Sequence, residues 1–430
     1  MEIGYAEALN SGPENPYRRT TVSPPNRLET SNFELLRELR HCWSKSSLEK
    51  LRSELRSLTG AKHVIFAPSA RCALAQILSV LPQREVVMPA YTCPVVKTAV
   101  KFARKKICYV DINRKSLNAT SLEFESKAKS GRILLPTHLF GIATDIENIC
   151  ELAQQRGCIT IEDAAAALGA TRNGRPLGTF ADAGVFSFER SKRFPAFRGA
   201  AILVNNDRAI DPQKLVEHPV VPQKSRFPAK EFVFAELYNA TTQPWIYGRM
   251  ILPSLLQRYA QEGGREKEVS PASSPFYQSE MHPYQAALIL RSLSRIREMQ
   301  KQIESLVAEY ETALRDKPVH TFVSNGDERG GLLRFPIVVD GIPRAQVLRE
   351  ALSRGVYLET NYERPLAPED EWKRLPNALW AAQNVVLLPL YTSLKRWQAQ
   401  DIAMKVAQIA EGAYSTRARD EEREYATHLG

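Results

Sequence analysis

Three short segments of this chain hold residue types whose chemistries complement one another. In APSARCALAQIL, the small-residue turn Ser69-Ala70-Arg71 lies between an apolar run and a helical one. Backbone N–H groups at such a helix start carry partial positive charge and form an anion site. Arg71 adds a formal charge to it. In CITIEDAAAALGA, Glu162-Asp163 closes a buried apolar run. A carboxylate therefore falls at the C-terminal end of a strand, where α/β folds bind ligands. An aspartate before an alanine run also serves as a helix cap. In DAGVFSFERSKRF, Ser187 and Lys192 follow another apolar run, with Arg190 and Arg193 beside the lysine. Alone, such a lysine is an ordinary solvated group.

Taken together, the three segments supply an amine, a carboxylate and an anion-binding turn. Pyridoxal 5′-phosphate needs that set: a lysine to form a Schiff base, an acid to keep the pyridine nitrogen protonated, and a seat for the phosphate. The acid's effect is large. At about 4 Å and an effective dielectric near 20, a charge pair gains roughly 4 kcal/mol, about three decades in protonation. That keeps the ring an electron sink, which a neutral amide could not do.

The elements that must position these groups are legible from His63 onward. Short apolar runs alternate with helical stretches: HVIFA, then 72–80; EVVMP, then 94–103; KICYVDI, then 121–129; RILLPTH, then 145–155; then CITIED, with further strands at 184–188 and 200–204. This rhythm predicts an α/β fold, a mainly parallel sheet with helices on both faces. Residues 1–45 are polar and proline-rich and read as an extended arm. The large domain spans 46–275 and includes an insertion at about 207–275, which Pro244 and Pro253 cut into short helices. That insertion is expected to pack on the body or across a dimer contact, with a lid or a membrane-touching patch as the alternative. One long helix over 284–314 opens a smaller C-terminal α/β domain (276–413). Its strands fall in LLRFPIVVD and VVLLPLY, with helices at 345–353 and 396–412. Residues 414–430 read as a charged tail.

At this level of detail the chain resembles the DegT/DnrJ/StrS family of sugar aminotransferases, on the aspartate-aminotransferase fold (fold type I). VVMPAYTCPVV, LLPTHLFGIATDI, MHPYQAAL and LPNALWAAQNVVLLPLY are similar to its conserved segments. IEDAAAALGATRNGRPLGTFADAGVFSFERSK is similar to its most specific block. The resemblance implies that Lys192 carries the Schiff base and that Asp163 binds the pyridinium nitrogen. It implies that Ser187, with Ala70 and Arg71, holds the phosphate. It also implies a homodimer and a ping-pong reaction from an amino donor, usually glutamate, to a nucleotide-linked ketosugar. Several positions depart from the family pattern. Ala166 replaces a glutamine, Cys93 an aromatic, Ser69-Ala70-Arg71 an S-G-T turn, and Phe197-Arg198-Gly199-Ala200 a G-E-G-G stretch. Gln278 aligns with an asparagine that the neighbouring subunit contributes. A lyase-type reaction on the same cofactor, and a non-catalytic cofactor-binding regulatory or assembly role, are the alternatives.

Composition narrows the partners. Six scattered cysteines with no CxxC pair, and seven dispersed histidines with no HxxxH pair, give no metal-ligand or disulfide pattern. The formal charge of +10 comes without any nucleic-acid module, and suits attraction of an anionic small substrate instead. No apolar run reaches the roughly 18 residues a bilayer span requires, and residues 1–10 lack a signal pattern. The chain reads as cytoplasmic.

Overall fold

The computed structural model describes residues 24, 27–44, 46–217, 227–243, 246–253, 280–322 and 331–427, the last helix by its backbone alone beyond 412. Gln278 lies outside the described residues. So do most of the first 45 residues and much of the 207–275 segment.

Among the described residues, twelve strands form three sheets. In chain order they are β1 (His63–Ala67), β2 (Glu85–Pro89), β3 (Lys106–Val110), β4 (Arg132–Leu134), β5 (Ile159–Asp163), β6 (Thr171–Arg172), β7 (Arg175–Pro176), β8 (Ala183–Ser187), β9 (Ala200–Val204), β10 (Val319–Thr321), β11 (Phe335–Val339) and β12 (Val386–Leu388). Seven of them make the central sheet, in the order β1-β9-β8-β5-β4-β2-β3. Only β9 runs antiparallel to its neighbours, so the sheet is mainly parallel as the strand–helix rhythm predicts. Alternation along β9 shows why both faces are covered. Ala200, Ile202 and Val204 enter the core that includes helix Ala70–Val80, while Ala201 and Leu203 enter the one that includes helix Pro283–Leu293.

Pairing register brings the three chemical segments to one edge. Ala67 at the end of β1 and Ser187 at the end of β8 both pair with Ala200 of β9. The turn after β1 and the serine are thus two strand spacings apart, roughly 10 Å. Asp163 at the end of β5 pairs with Val185, two residues before Ser187. By the period of two, Ile161, Asp163, Val185 and Ser187 share a face. Gly184 lets this edge pack closely: a Cβ there would meet the Gly178 carbonyl oxygen at 2.0 Å.

The C-terminal part of the chain, here called the C-terminal unit, holds the antiparallel sheet β10-β11-β12 and shares a core with the central sheet. Flanking it are helices Arg344–Ser353, Pro376–Asn384 and Arg396–Thr427. The last of these continues well beyond Gly412 as helix, where a charged tail was expected. The long helix expected over 284–314 is two, Pro283–Leu293 and Ile296–Leu314. Ser292 and Ser294 donate their hydroxyls to the carbonyls of Leu288 and Arg291 (3.1 and 2.7 Å), a back-bonding that weakens helices from within.

Residues 32–38 of the expected extended arm are also helical. Ser31 and Glu34 form a capping box, with the Ser31 N–H donating to Glu34 at 2.9 Å and the Glu34 N–H to Ser31 Oγ at 3.3 Å. Such caps contribute about 1 kcal/mol. The insertion helix Ala229–Thr241 packs on this one, where Asn239 Nδ2 donates to the Thr30 carbonyl at 2.9 Å and to Asn32 Oδ1 at 2.7 Å. No helix among the described residues is long and apolar enough to cross a membrane.

Candidate active site

Asp163 is almost fully buried. Its Oδ1 accepts from the Ala165 N–H at 3.2 Å, and the Thr137 hydroxyl reaches the same carboxylate. Burial pushes its pKa up; the Ala165 N–H, the Lys192 ammonium, His138 and Thr137 pull the other way. Asp163 and Lys192 therefore stand within electrostatic reach of one another. Lys192 is half-buried in the turn after β8, where its N–H donates to the Glu189 carbonyl at 2.9 Å.

Glu162, one residue before, does different work because alternation points it to the opposite face. Its carboxylate accepts from the N–H groups of Gly178, Phe180 (3.0 Å) and Ala181 (3.3 Å) and meets His138 Nε2 at 2.7 Å. His138 Nδ1 accepts from the Thr144 N–H at 3.1 Å, so Nε2 carries the hydrogen and donates to Glu162. Four donors on one buried carboxylate make Glu162 a clamp on the 178–181 loop.

Ser187, also buried, takes a long 3.4 Å bond from the Glu189 N–H. Ser69 caps helix Ala70–Val80, its Oγ accepting from the Cys72 N–H at 3.2 Å. The positive end of that helix is thus presented at Ala70 and Arg71, on the strand-end edge that holds Ser187. The sequence-predicted site residues Lys192, Asp163, Ser187, Ala70 and Arg71 all fall at this one edge.

Sequence reasoning did not find the wall facing them. Tyr362, in a loop of the C-terminal unit, hydrogen-bonds the Cys93 thiol and feels the Asp163 charge. Its ring packs edge-on to Tyr91 (5.8 Å) and stacked with Phe140 (6.4 Å), while its N–H donates to the Tyr91 hydroxyl at 3.2 Å. Burial raises the Cys93 thiol pKa, and the Lys192 charge partly offsets that. No local signal marks Tyr362; only the docking of the C-terminal unit brings it here.

The chain matches the description "DegT/DnrJ/EryC1/StrS aminotransferase family" over residues 41–407. It belongs to that family. The spore coat polysaccharide biosynthesis protein SpsC of Bacillus subtilis is 24% identical over 386 residues, covering 85% of this chain and 90% of SpsC. The UDP-N-acetyl-3-dehydro-alpha-D-glucosamine 3-aminotransferase of Acidithiobacillus ferrooxidans is 32% identical over 165 residues, only 37% of this chain and 45% of that protein. Among solved structures, Spr1654 of Streptococcus pneumoniae in its PMP form superposes with a TM-score of 0.71 at 20% identity, covering 91% of this chain and 99% of that one. A DegT/DnrJ/EryC1/StrS aminotransferase depends on pyridoxal 5′-phosphate and has fold type I, so the cofactor and the sheet read from the sequence both stand. The residues present suit that cofactor. A buried carboxylate beside an amine, with a hydroxyl and a helix start on the same strand-end edge, is the donor set its ring nitrogen, aldehyde and phosphate require.

Proposed function

We propose that this family member moves an amino group from an amino acid, glutamate first among donors, to the keto group of a nucleotide-linked sugar or a related carbonyl compound. The setting is polysaccharide or natural-product synthesis. The buried Asp163 carboxylate within electrostatic reach of Lys192 carries the reading. The names of the two curated relatives, one in polysaccharide biosynthesis and one an aminotransferase of a dehydro-sugar nucleotide, support the substrate class.

Each residue has a distinct task. Lys192 would anchor the cofactor through its amine and, once freed, its amine would move the proton at the substrate carbon. Asp163 holds positive charge on the ring nitrogen, which favours its own ionised form despite burial. Ser187 and the helix start at Ala70-Arg71 take the phosphate. When bound, the cofactor supplies an aldehyde for imine formation and a ring that accepts electrons. Tyr362 and Cys93 close the site against water from the side of the C-terminal unit. The protein works as a cytoplasmic homodimer whose sites lie near the subunit contact.

Glutamate mixed with the yellow protein is expected to bleach the cofactor's visible band and release 2-oxoglutarate. Borohydride should fix the cofactor to the peptide that contains Lys192. Protein that takes up cofactor but leaves every amino donor unchanged would overturn the reading.

A further inference from the structure

Directly after Lys192, Arg193 is only 6% exposed, yet its Nε and Nη1 have no hydrogen-bond partner. Its Nη2 alone donates, to the Leu332 carbonyl. Two charged groups act on it: Glu29 favours its charge and Arg334 opposes it. Glu29 is already engaged, accepting from the Thr392 N–H at 3.0 Å and from the Thr392 hydroxyl. Arg334, equally buried, is bound to Glu359 at 2.6 Å. Burial lowers the Arg193 pKa to about 10, which leaves the guanidinium charged at neutral pH. A buried cation facing a second cation, with open N–H donors, persists at large desolvation cost unless an anion completes it.

We propose that Arg193 is the seat for the carboxylate of the amino donor. The inference rests on the aminotransferase reading above and adds the residue that recognises the donor. Three features favour a carboxylate over other anions. The guanidinium is buried, so only a small group reaches it. It is bound to Leu332, whose neighbour Leu333 is held by Phe140, and the Phe140 ring stacks on Tyr362, which meets Cys93 and feels the Asp163 charge, so the seat adjoins the wall of the candidate site. A planar fork of N–H donors also matches a carboxylate. Ser187 and the Ala70-Arg71 turn already provide for the cofactor phosphate. Leu332 and Arg334 wall the seat. The segment 331–334 fixes that wall: the Leu333 N–H donates to the Phe140 carbonyl at 2.8 Å. A Cβ on Gly141 would meet the Gly331 carbonyl oxygen at 2.6 Å.

The test uses the full chain loaded with cofactor. Calorimetry measures 2-oxoglutarate and UDP binding to the wild type, Arg193→Met and Arg193→Lys. Arg193→Met is expected to weaken 2-oxoglutarate at least tenfold and leave UDP unchanged, with Arg193→Lys between it and the wild type. The unliganded methionine variant should melt no lower than the wild type, because it removes a buried guanidinium whose Nε and Nη1 donors are unmet. Unchanged 2-oxoglutarate binding in Arg193→Met, or a loss confined to UDP, overturns the assignment. A lower melting temperature together with dissociation into monomers overturns it too, by making Arg193 a subunit contact. Failure of the aminotransferase reading is visible separately, as a wild-type spectrum that glutamate leaves untouched. The inference is then judged on free pyruvate, succinate and 2-oxoglutarate, and it falls if none of them binds through Arg193.

Discussion

At the scale of single residues, the chemistry turns on one buried acid. Burial raises the Asp163 pKa above its ordinary value of 3.8, so the cofactor-free fold binds that proton more tightly than the unfolded chain does. Stability from this group is present below about 3.8 and is lost as pH rises through the raised folded value. Asp163→Asn should therefore melt higher than the wild type at neutral pH in cofactor-free protein, and the gap should close towards pH 3–4. In cofactor-loaded protein the same change should slow turnover by roughly three decades, since the ring nitrogen loses its counter-charge. Calorimetric melts at several pH values and a steady-state assay read the two effects independently. A variant with near-normal turnover would show that the carboxylate does not serve the ring. Tyr362 gives a second residue-scale expectation. Tyr362→Phe removes the hydroxyl that meets Cys93 but keeps the ring between Tyr91 and Phe140, so folding should hold. Turnover is expected to fall by up to about tenfold, as the loss of one hydrogen bond worth about 0.5–1.5 kcal/mol allows.

Elements deliver these residues, and their packing sets what can be changed. The loop 178–181 is held on β8 from two sides. Gly178 and Gly184 approach backbone to backbone, and Glu162 gathers the loop's N–H groups. Gly184→Ala must push that loop away, at a cost of about 1–3 kcal/mol from overpacking. Glu162→Gln leaves a weaker acceptor for the same donors and costs a similar 1–3 kcal/mol. Denaturant melts should register both losses, and cofactor affinity should fall with them because the clamp holds β5, the strand that ends in Asp163. Equal stability in either variant would mean the loop has another way to settle. This block was also the most legible part of the chain. β8 starts and ends one residue from the expected 184–188, and β9 matches 200–204 outright, because both strands are short, mostly apolar and bounded by turn residues. The helix at 32–38 was hidden by its proline-rich surroundings, although Ser31 and Glu34 spell a capping box. β10 (Val319–Thr321) has only three residues and no alternation to announce it.

For the whole molecule, what the sequence could not reveal is what distant segments do to one another. Lys192, Asp163, Ser187 and the Ala70-Arg71 turn are local signals in one α/β unit, and sheet register alone unites them. Tyr362, Arg334 and Leu332 reach the same region only when the C-terminal unit docks, a contact between positions more than a hundred residues apart. The outer surface poses the same kind of question. Helices 32–38 and 229–241 lie side by side and expose Phe33 (71%), Leu36, Val233 and Leu237 (61%). Val233 and Leu237 stand four residues apart, on one helix face. Several large apolar side chains on two packed helices mark an association surface, and a second copy of the chain is the occupant that the proposed homodimer requires. Charges placed there should break that contact while leaving each subunit folded, because the positions are solvent-exposed in the single chain. Phe33→Asp combined with Leu237→Asp is expected to convert dimers into monomers in sedimentation at micromolar concentration, with an unchanged far-ultraviolet circular dichroism spectrum. Turnover should fall along with the dimer if a partner residue completes the site, and should stay constant if each subunit is self-sufficient. A double variant that sediments as the same dimer would place the subunit contact on another face.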